Sequence, residues 1–202
     1  DVRKPVPGEK EKALTRYSPD GDPILLFVGQ LNWKKNILHI LEAASVLKKD
    51  GVKFRLVLAG QGPHRAEIEK KCRELEIDER TILPGHILDT AKLDGLYQAA
   101  SLFVFPSVYD NAPMVIREAA AMGTASVVTR GSSSAEGIIE GENGLLAVDN
   151  AMALARVIED ALKNQENLSV LGKNARKTIP VSWDELLDAV LERYQRLIGL
   201  YL

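Results

Sequence analysis

Two carboxylates, Asp110 and Glu118, bracket a stretch that runs PSVYDNAPMVIREA over residues 106–119. It follows a short apolar run and leads into a helical pattern from about Pro113 to Met122. Asn111 is a helix-capping type, and Pro113 suits a first helical position. The amides near Met114 and Val115 would then be free donors at the positive end of a helix, where an anion binds readily. Asp110 stands just before that end and Glu118 about a turn and a half inside it. Carboxylates so placed can hold the hydroxyl groups of a ligand whose phosphates meet the amides. A plain capped helix with a solvated glutamate fits the same letters, so the stretch alone leaves both readings open.

The elements that must position this stretch alternate along the chain. Ile24–Val28, Phe54–Ala59, Leu102–Phe105 and Ala125–Val128 are short unbroken apolar runs, and Thr81–Leu83 is a shorter one. Such runs suit strands buried on both faces. Helical patterns lie between them: Asn36–Lys49 with Asn36 as cap, Pro63–Glu76, Ala91–Ala100 with Leu93, Leu96 and Tyr97 inward, and the helix that carries Glu118. The alternation predicts right-handed crossovers and a doubly wound parallel sheet, an α/β Rossmann-like sandwich. The chain after Gly144 reads as mostly helical. A capping-box pattern at Ser182–Glu185 opens a long C-terminal helix striped by Leu186, Leu187, Val190, Leu191, Tyr194, Leu197 and Ile198. Residues 1–23, rich in proline and glycine, read as a linker or tail, and residues 24–202 as the folded domain.

In such sheets ligands lie beyond the C-terminal strand ends, at the point where the strand order reverses. Here those ends are Gly29, Gly60, Gly85, Pro106-Ser107 and Arg130-Gly131. Other motifs fall away. Asp20-Gly-Asp22 resembles a metal-binding Asp-x-Asp but sits in a turn before the first strand. Gly60-Gln-Gly62 begins like a dinucleotide fingerprint, yet Arg65 stands at its third glycine. His39, His64 and His86 have no metal-ligand spacing, and Cys72 reads as a core residue of a helix. The sequon at Asn167 has no secretory context, and Glu136 reads as a helix-start residue.

Composition narrows the classes. The chain has 202 residues, 46% hydrophobic and 27% charged, with a net charge of -2. That balance supports a buried core and gives no basic surplus for nucleic acid or an anionic membrane. A single cysteine excludes a disulfide framework, and no apolar run is long enough to span a bilayer. A cytoplasmic protein is expected.

Read in order, the motifs form one series: Gly29-Gln-Leu31, Lys35-Asn36, Leu58-Ala-Gly60-Gln-Gly62-Pro63, Ile82-Leu-Pro-Gly85 and Leu96-Tyr97-x-Ala99-Ala100. It continues with Phe103-Val104-x-Pro106-Ser107, Asp110…Glu118-Ala119 and Gly141-x-Asn143-Gly144. From about residue 24 to 194 this resembles the C-terminal, donor-binding half of a GT-B glycosyltransferase of family 4, the glycosyl transferases group 1. The resemblance implies a domain that binds a nucleotide-diphosphate sugar, with UDP the commonest nucleotide of the family. It implies sugar transfer with retention of configuration and without a metal or other cofactor.

Site residues carry over by position. Lys35 matches the lysine on the donor diphosphate, and Glu118 the second glutamate of a Glu-(x)7-Glu motif, which holds the ribose hydroxyls. Asp110 stands at the first glutamate, facing the donor sugar. The Ala112, Pro113, Met114 and Val115 backbone matches the segment on the sugar and pyrophosphate, and His86 and Ile87 the backbone that reads the base. Gly29, Gln30, Lys34, Gly60, Ser107 and Asn111 complete the expected donor site.

Two positions depart from the family. Gln30 replaces an arginine, a neutral donor for a bidentate phosphate clamp, and Lys34 is the candidate to compensate. Asp110 is one methylene shorter than glutamate. The resemblance also implies an N-terminal acceptor-binding domain outside this sequence, so that the chain alone is expected to transfer no sugar. Any membrane association would belong to that other part. The final helix, ending Ile198, Leu200, Tyr201 and Leu202, is then expected to bare part of its apolar stripe as a sticky patch or a dimer contact. A nucleotide-binding module without catalysis, and a sugar-nucleotide epimerase of the same fold, remain as alternatives.

Overall fold

The computed structural model describes residues 3–180 and 183–199. Five apolar runs become strands: β1 (Ile24–Val28), β2 (Arg55–Ala59), β3 (Thr81–Gly85), β4 (Leu102–Phe105) and β5 (Ser126–Thr129). They join β6 (Leu145–Ala147) in a six-stranded sheet of order β3-β2-β1-β4-β5-β6, parallel throughout. Strands β1 and β4 carry continuous apolar letters because helices cover both faces, and Leu26, Phe27, Phe103 and Val127 are fully buried. Phe27, Phe105 and Phe103 stack in succession across the β1–β4 junction, with ring centroids 5.8 and 5.9 Å apart. The strand order reverses between β1 and β4, so the crevice expected for a ligand opens at their C-terminal ends.

The helices are α1 (Glu9–Tyr17), α2 (Ile37–Lys49), α3 (Arg65–Glu74), α4 (Thr90–Ala99), α5 (Met114–Ala121), α6 (Ala151–Lys163), α7 (Gln165–Thr178) and α8 (Trp183–Gly199). Short polar residues start several of them. Asp89 accepts from the amides of Ala91 and Lys92 at α4, and Asn150 from Ala153 at α6. Among the described residues no helix is long and apolar enough to cross a membrane.

The structure corrects several expectations. Residues 1–23 are not a linker throughout: α1 forms within them and lies along α4, burying Ala13 and Tyr17. Its nine residues, EKEKALTRY, carry too few apolar side chains to show a helical stripe; contact with α4 supplies the burial. The tail after Gly144 contains β6, three residues paired to β5, too short to register as a strand pattern. Helix α5 starts at Met114, and Pro113 is its cap residue, with extended backbone and no side-chain cap. Asn111 caps nothing. Asn36 precedes α2 in a left-handed conformation (φ 55°) without capping it. Along α8, Leu187, Val190, Leu191, Tyr194, Leu197 and Ile198 are all exposed, as the bare stripe requires. Ser182 of the capping box, Leu200, Tyr201, Leu202 and the side chain of Leu186 lie outside the described residues.

Candidate functional site

Beside the reversal point, backbone hydrogen bonds join the ends of β1, β2 and β3. The Gly60 amide donates to Gly85 O at 2.9 Å and the Gly29 amide to Ala59 O at 3.0 Å. A β-carbon on Gly60 would sit 1.8 Å from Gly29 O, and its φ of 148° suits only glycine. A β-carbon on Gly62 would come within 2.4 Å of Leu31 O. Glycine is therefore required here by close approach, and the β1 and β2 ends form one continuous floor.

Beyond β1 a single 3₁₀ turn, Trp33–Lys35, is capped by Asn32, which accepts from the Lys34 amide at 3.0 Å. The turn directs Lys35 across the crevice, where its ammonium pairs with the Asp110 carboxylate. Asn36 fastens the same turn to β4: its side-chain amide donates to Pro106 O and to Asp149, each at 3.0 Å. This bridging, rather than capping, is the role of Asn36.

Asp110 has one oxygen on Lys35, while the other is buried without a hydrogen-bond partner among the described residues. Next in the loop, Ala112 holds a left-handed φ of 44°, a conformation that costs a non-glycine residue about 1–3 kcal/mol. The turn it makes brings the start of α5 up to the crevice. The amides of Met114 and Val115 donate to no backbone or side-chain acceptor among the described residues, while Ile116 already bonds Pro113 O. Two free donors thus stand at the positive end of α5.

Two clefts meet over Gly29 and Gln30. One, of about 230 Å³, is closed by Gly60, Gln61, His86, Ile87 and Leu93. The other, of about 250 Å³, is closed by Lys35, Asp110, Pro113, Met114 and Val115. Ten of the expected site residues therefore gather: Gly29, Gln30, Gly60, His86, Ile87, Lys35, Asp110, Pro113, Met114 and Val115.

Glu118, expected in the donor site, lines neither cleft; it lies one helical turn past Val115 on α5 and meets Tyr97 of α4. The Tyr97 hydroxyl donates to its Oε2 at 3.0 Å, and Arg3 Nη1 lies 2.7 Å from its Oε1. Arg3 Nη2 lies 3.0 Å from Asp94 Oδ1. Burial pushes the Asp94 carboxyl above its ordinary range; Arg3 pulls it down and Glu118 pushes it up. Burial, together with the Glu118 charge, raises the Tyr97 phenol well above its usual value, so it stays a donor.

Four expected residues stand elsewhere. Ser107, two residues past β4, is fully buried; its hydroxyl has no hydrogen-bond partner among the described residues, and its carbonyl accepts from the Ser134 hydroxyl at 3.0 Å. Lys34 is exposed and lines neither cleft. Asn111 is exposed outside both clefts. Ala112 lines a third cleft on the far side of Pro113, together with Arg117 and Glu136. Sequence reasoning missed Arg3, Asp94 and Gln61. No local pattern marks an arginine that pairs with a glutamate 115 positions on, whereas Tyr97 was legible as an inward residue of α4.

The glycosyl transferases group 1 model matches residues 10–178. The chain is 32% identical over 143 residues to the GDP-mannose-dependent alpha-(1-6)-phosphatidylinositol dimannoside mannosyltransferase of Mycobacterium tuberculosis, covering 71% of this chain and 36% of that protein. Sucrose-phosphate synthase from Thermosynechococcus elongatus superposes with a TM-score of 0.80 at 27% identity, over 98% of this chain and 50% of that one. Anabaena HepE in complex with UDP superposes with a TM-score of 0.81 at 17% identity, over 95% of this chain and 54% of that one. The chain thus spans about half the length of these structures, or less of the mannosyltransferase. With a family match over residues 10–178, most of its length, the chain belongs to the glycosyl transferases group 1 family.

Proposed function

We propose that this chain is the donor-binding part of a retaining glycosyltransferase that moves a sugar from a nucleotide-diphosphate sugar to an acceptor hydroxyl. The observation that carries this is the pair of clefts joined over Gly29 and Gln30, one apolar and closed by His86 and Ile87, the other holding Lys35 and two free amides. The base occupies the first cleft, against the backbone of residues 86–87. The ribose hydroxyls bond Glu118. The diphosphate lies in the second cleft on the Met114 and Val115 amides and Lys35, and the sugar faces Asp110.

In the reaction the bond from the anomeric carbon to the β-phosphate oxygen breaks, and its electron pair stays on the diphosphate. The acceptor oxygen bonds the same carbon on the same face, and its proton passes to the departing phosphate. Negative charge grows on the diphosphate, where Lys35 and the α5 amides are already aimed. UDP is the nucleotide this reading favours, because solved relatives of this fold hold it. The acceptor is held by a separate domain outside this chain, in keeping with the half-length match.

Calorimetry of the chain with UDP, GDP and ADP tests the proposal. Binding of one of them, weakened more by Glu118→Ala than by Glu136→Ala, is expected. No binding of any at millimolar concentration overturns it.

A further inference from the structure

Arg3 belongs to none of the motifs, yet it makes the shortest polar contact to the Glu118 carboxylate. Its guanidinium forks between Glu118 Oε1 at 2.7 Å and Asp94 Oδ1 at 3.0 Å, while the Tyr97 hydroxyl holds Glu118 Oε2 at 3.0 Å. Glu118 Oε2 thus has one hydrogen-bond donor, the Tyr97 hydroxyl, and Oε1 has an ion-pair partner, Arg3. A carboxylate offers about four acceptor positions, so one on each oxygen is left for a pair of neighbouring hydroxyls. Asp94 is only 4% exposed, and it shares Arg3 with Glu118. Without that cation two carboxylates would face each other beside a site for an anionic ligand.

The place of Arg3 is fixed by packing. It lies six residues ahead of α1, and α1 is seated so closely on α4 that a β-carbon on Gly95 would fall 2.5 Å from Glu9 O. Asp94 and Tyr97 flank Gly95 on α4. The helix contact thus brings the chain ahead of α1 to α4, where Arg3 meets Asp94.

We propose that Arg3 is a positioning residue for donor binding, acting through Glu118. It rests on the donor-site reading above. With Arg3 in place, Glu118 is held ready for a ribose diol. Without Arg3, Glu118 keeps the Tyr97 hydroxyl but loses its counter-charge.

The test is calorimetry of the chain and its variants with UDP, GDP and ADP, then with the 2′,3′-dideoxy form of whichever binds. Arg3→Ala is expected to weaken the parent diphosphate about fivefold or more, and to leave the dideoxy form unchanged. Arg3→Lys should recover part of the loss, because an ammonium reaches one carboxylate at a time. In a Glu118→Gln background Arg3→Ala should add little. Unchanged affinity in Arg3→Ala, or an equal loss for the dideoxy form, overturns the proposal. If Arg3→Ala does not fold, Arg3→Lys carries the same two comparisons. A wild-type chain that binds none of the three diphosphates fails the donor-site reading itself, and this proposal with it.

Discussion

The Lys35 ammonium reaches across the crevice to the carboxylate of Asp110, 75 residues further along the chain, and thereby joins the end of β1 to the loop ahead of α5. Both side chains are about four-fifths buried, so the pair is not a loose surface contact. In the donor site proposed here a diphosphate would compete with Asp110 for the same ammonium. Removing the two partners should then act in opposite directions. Lys35→Ala should weaken binding of UDP about tenfold, the size expected for one charge-assisted hydrogen bond. Asp110→Asn should tighten it, because the ammonium is released to the phosphates. Calorimetry decides, and a loss of equal size in Asp110→Asn would mean that the carboxylate helps rather than competes.

Gly60 is a structural requirement of the floor beneath both clefts. Any side chain there would drive its β-carbon into Gly29 O at 1.8 Å, in a backbone region closed to alanine. Gly60→Ala should cost on the order of 3 kcal/mol in urea denaturation. A variant as stable as the wild type would mean that the two strand ends are not held together.

Cys72, on the inner face of α3, is 2% exposed, and burial pushes its thiol up to about 11. At pH 8 only about one thiol in a thousand is then ionised, and reagents cannot reach it without an opening of the fold. Reaction with a thiol reagent should be slow in the native chain and fast in guanidinium. Equal rates would show that the helix does not pack as described.

Much of this arrangement is written locally. ILLFV over residues 24–28 has no polar letter, which only a strand covered on both faces tolerates, and its position before Gly29 marks the end where a ligand sits. The loop from Asp110 to Val115 gave away its free amides through Pro113, even though the helix starts one residue later. What stayed hidden depends on neighbours distant in sequence. Lys34 and Lys35 are the same letter side by side, and only the Asn32-capped turn decides which one enters the crevice. Ser107 follows a strand end as expected, but it is fully buried there and lines neither cleft. Helix α1 and Arg3 are legible only once α4 is there to receive them.

The Arg3 cluster also sets a pH dependence whose sign follows from Asp94. Burial holds the Asp94 carboxyl above its ordinary value, against the downward pull of Arg3 and with the upward push of Glu118. A carboxyl raised by folding binds its proton more tightly in the native state than in the unfolded chain. Its contribution to stability is therefore whole below the ordinary carboxylate range and is lost as pH rises through the raised native value. Arg3→Ala removes the influence that lowers Asp94, so the native value climbs further and the loss extends to higher pH. Melting temperatures of wild type and Arg3→Ala should be close at about pH 4 and diverge toward about pH 7, with the variant the lower. Adding Asp94→Asn to Arg3→Ala should shrink that divergence, because the titrating group is gone. A gap of constant size from acid to neutral pH would mean that Arg3 supports the fold through packing alone, and that Asp94 does not feel its charge.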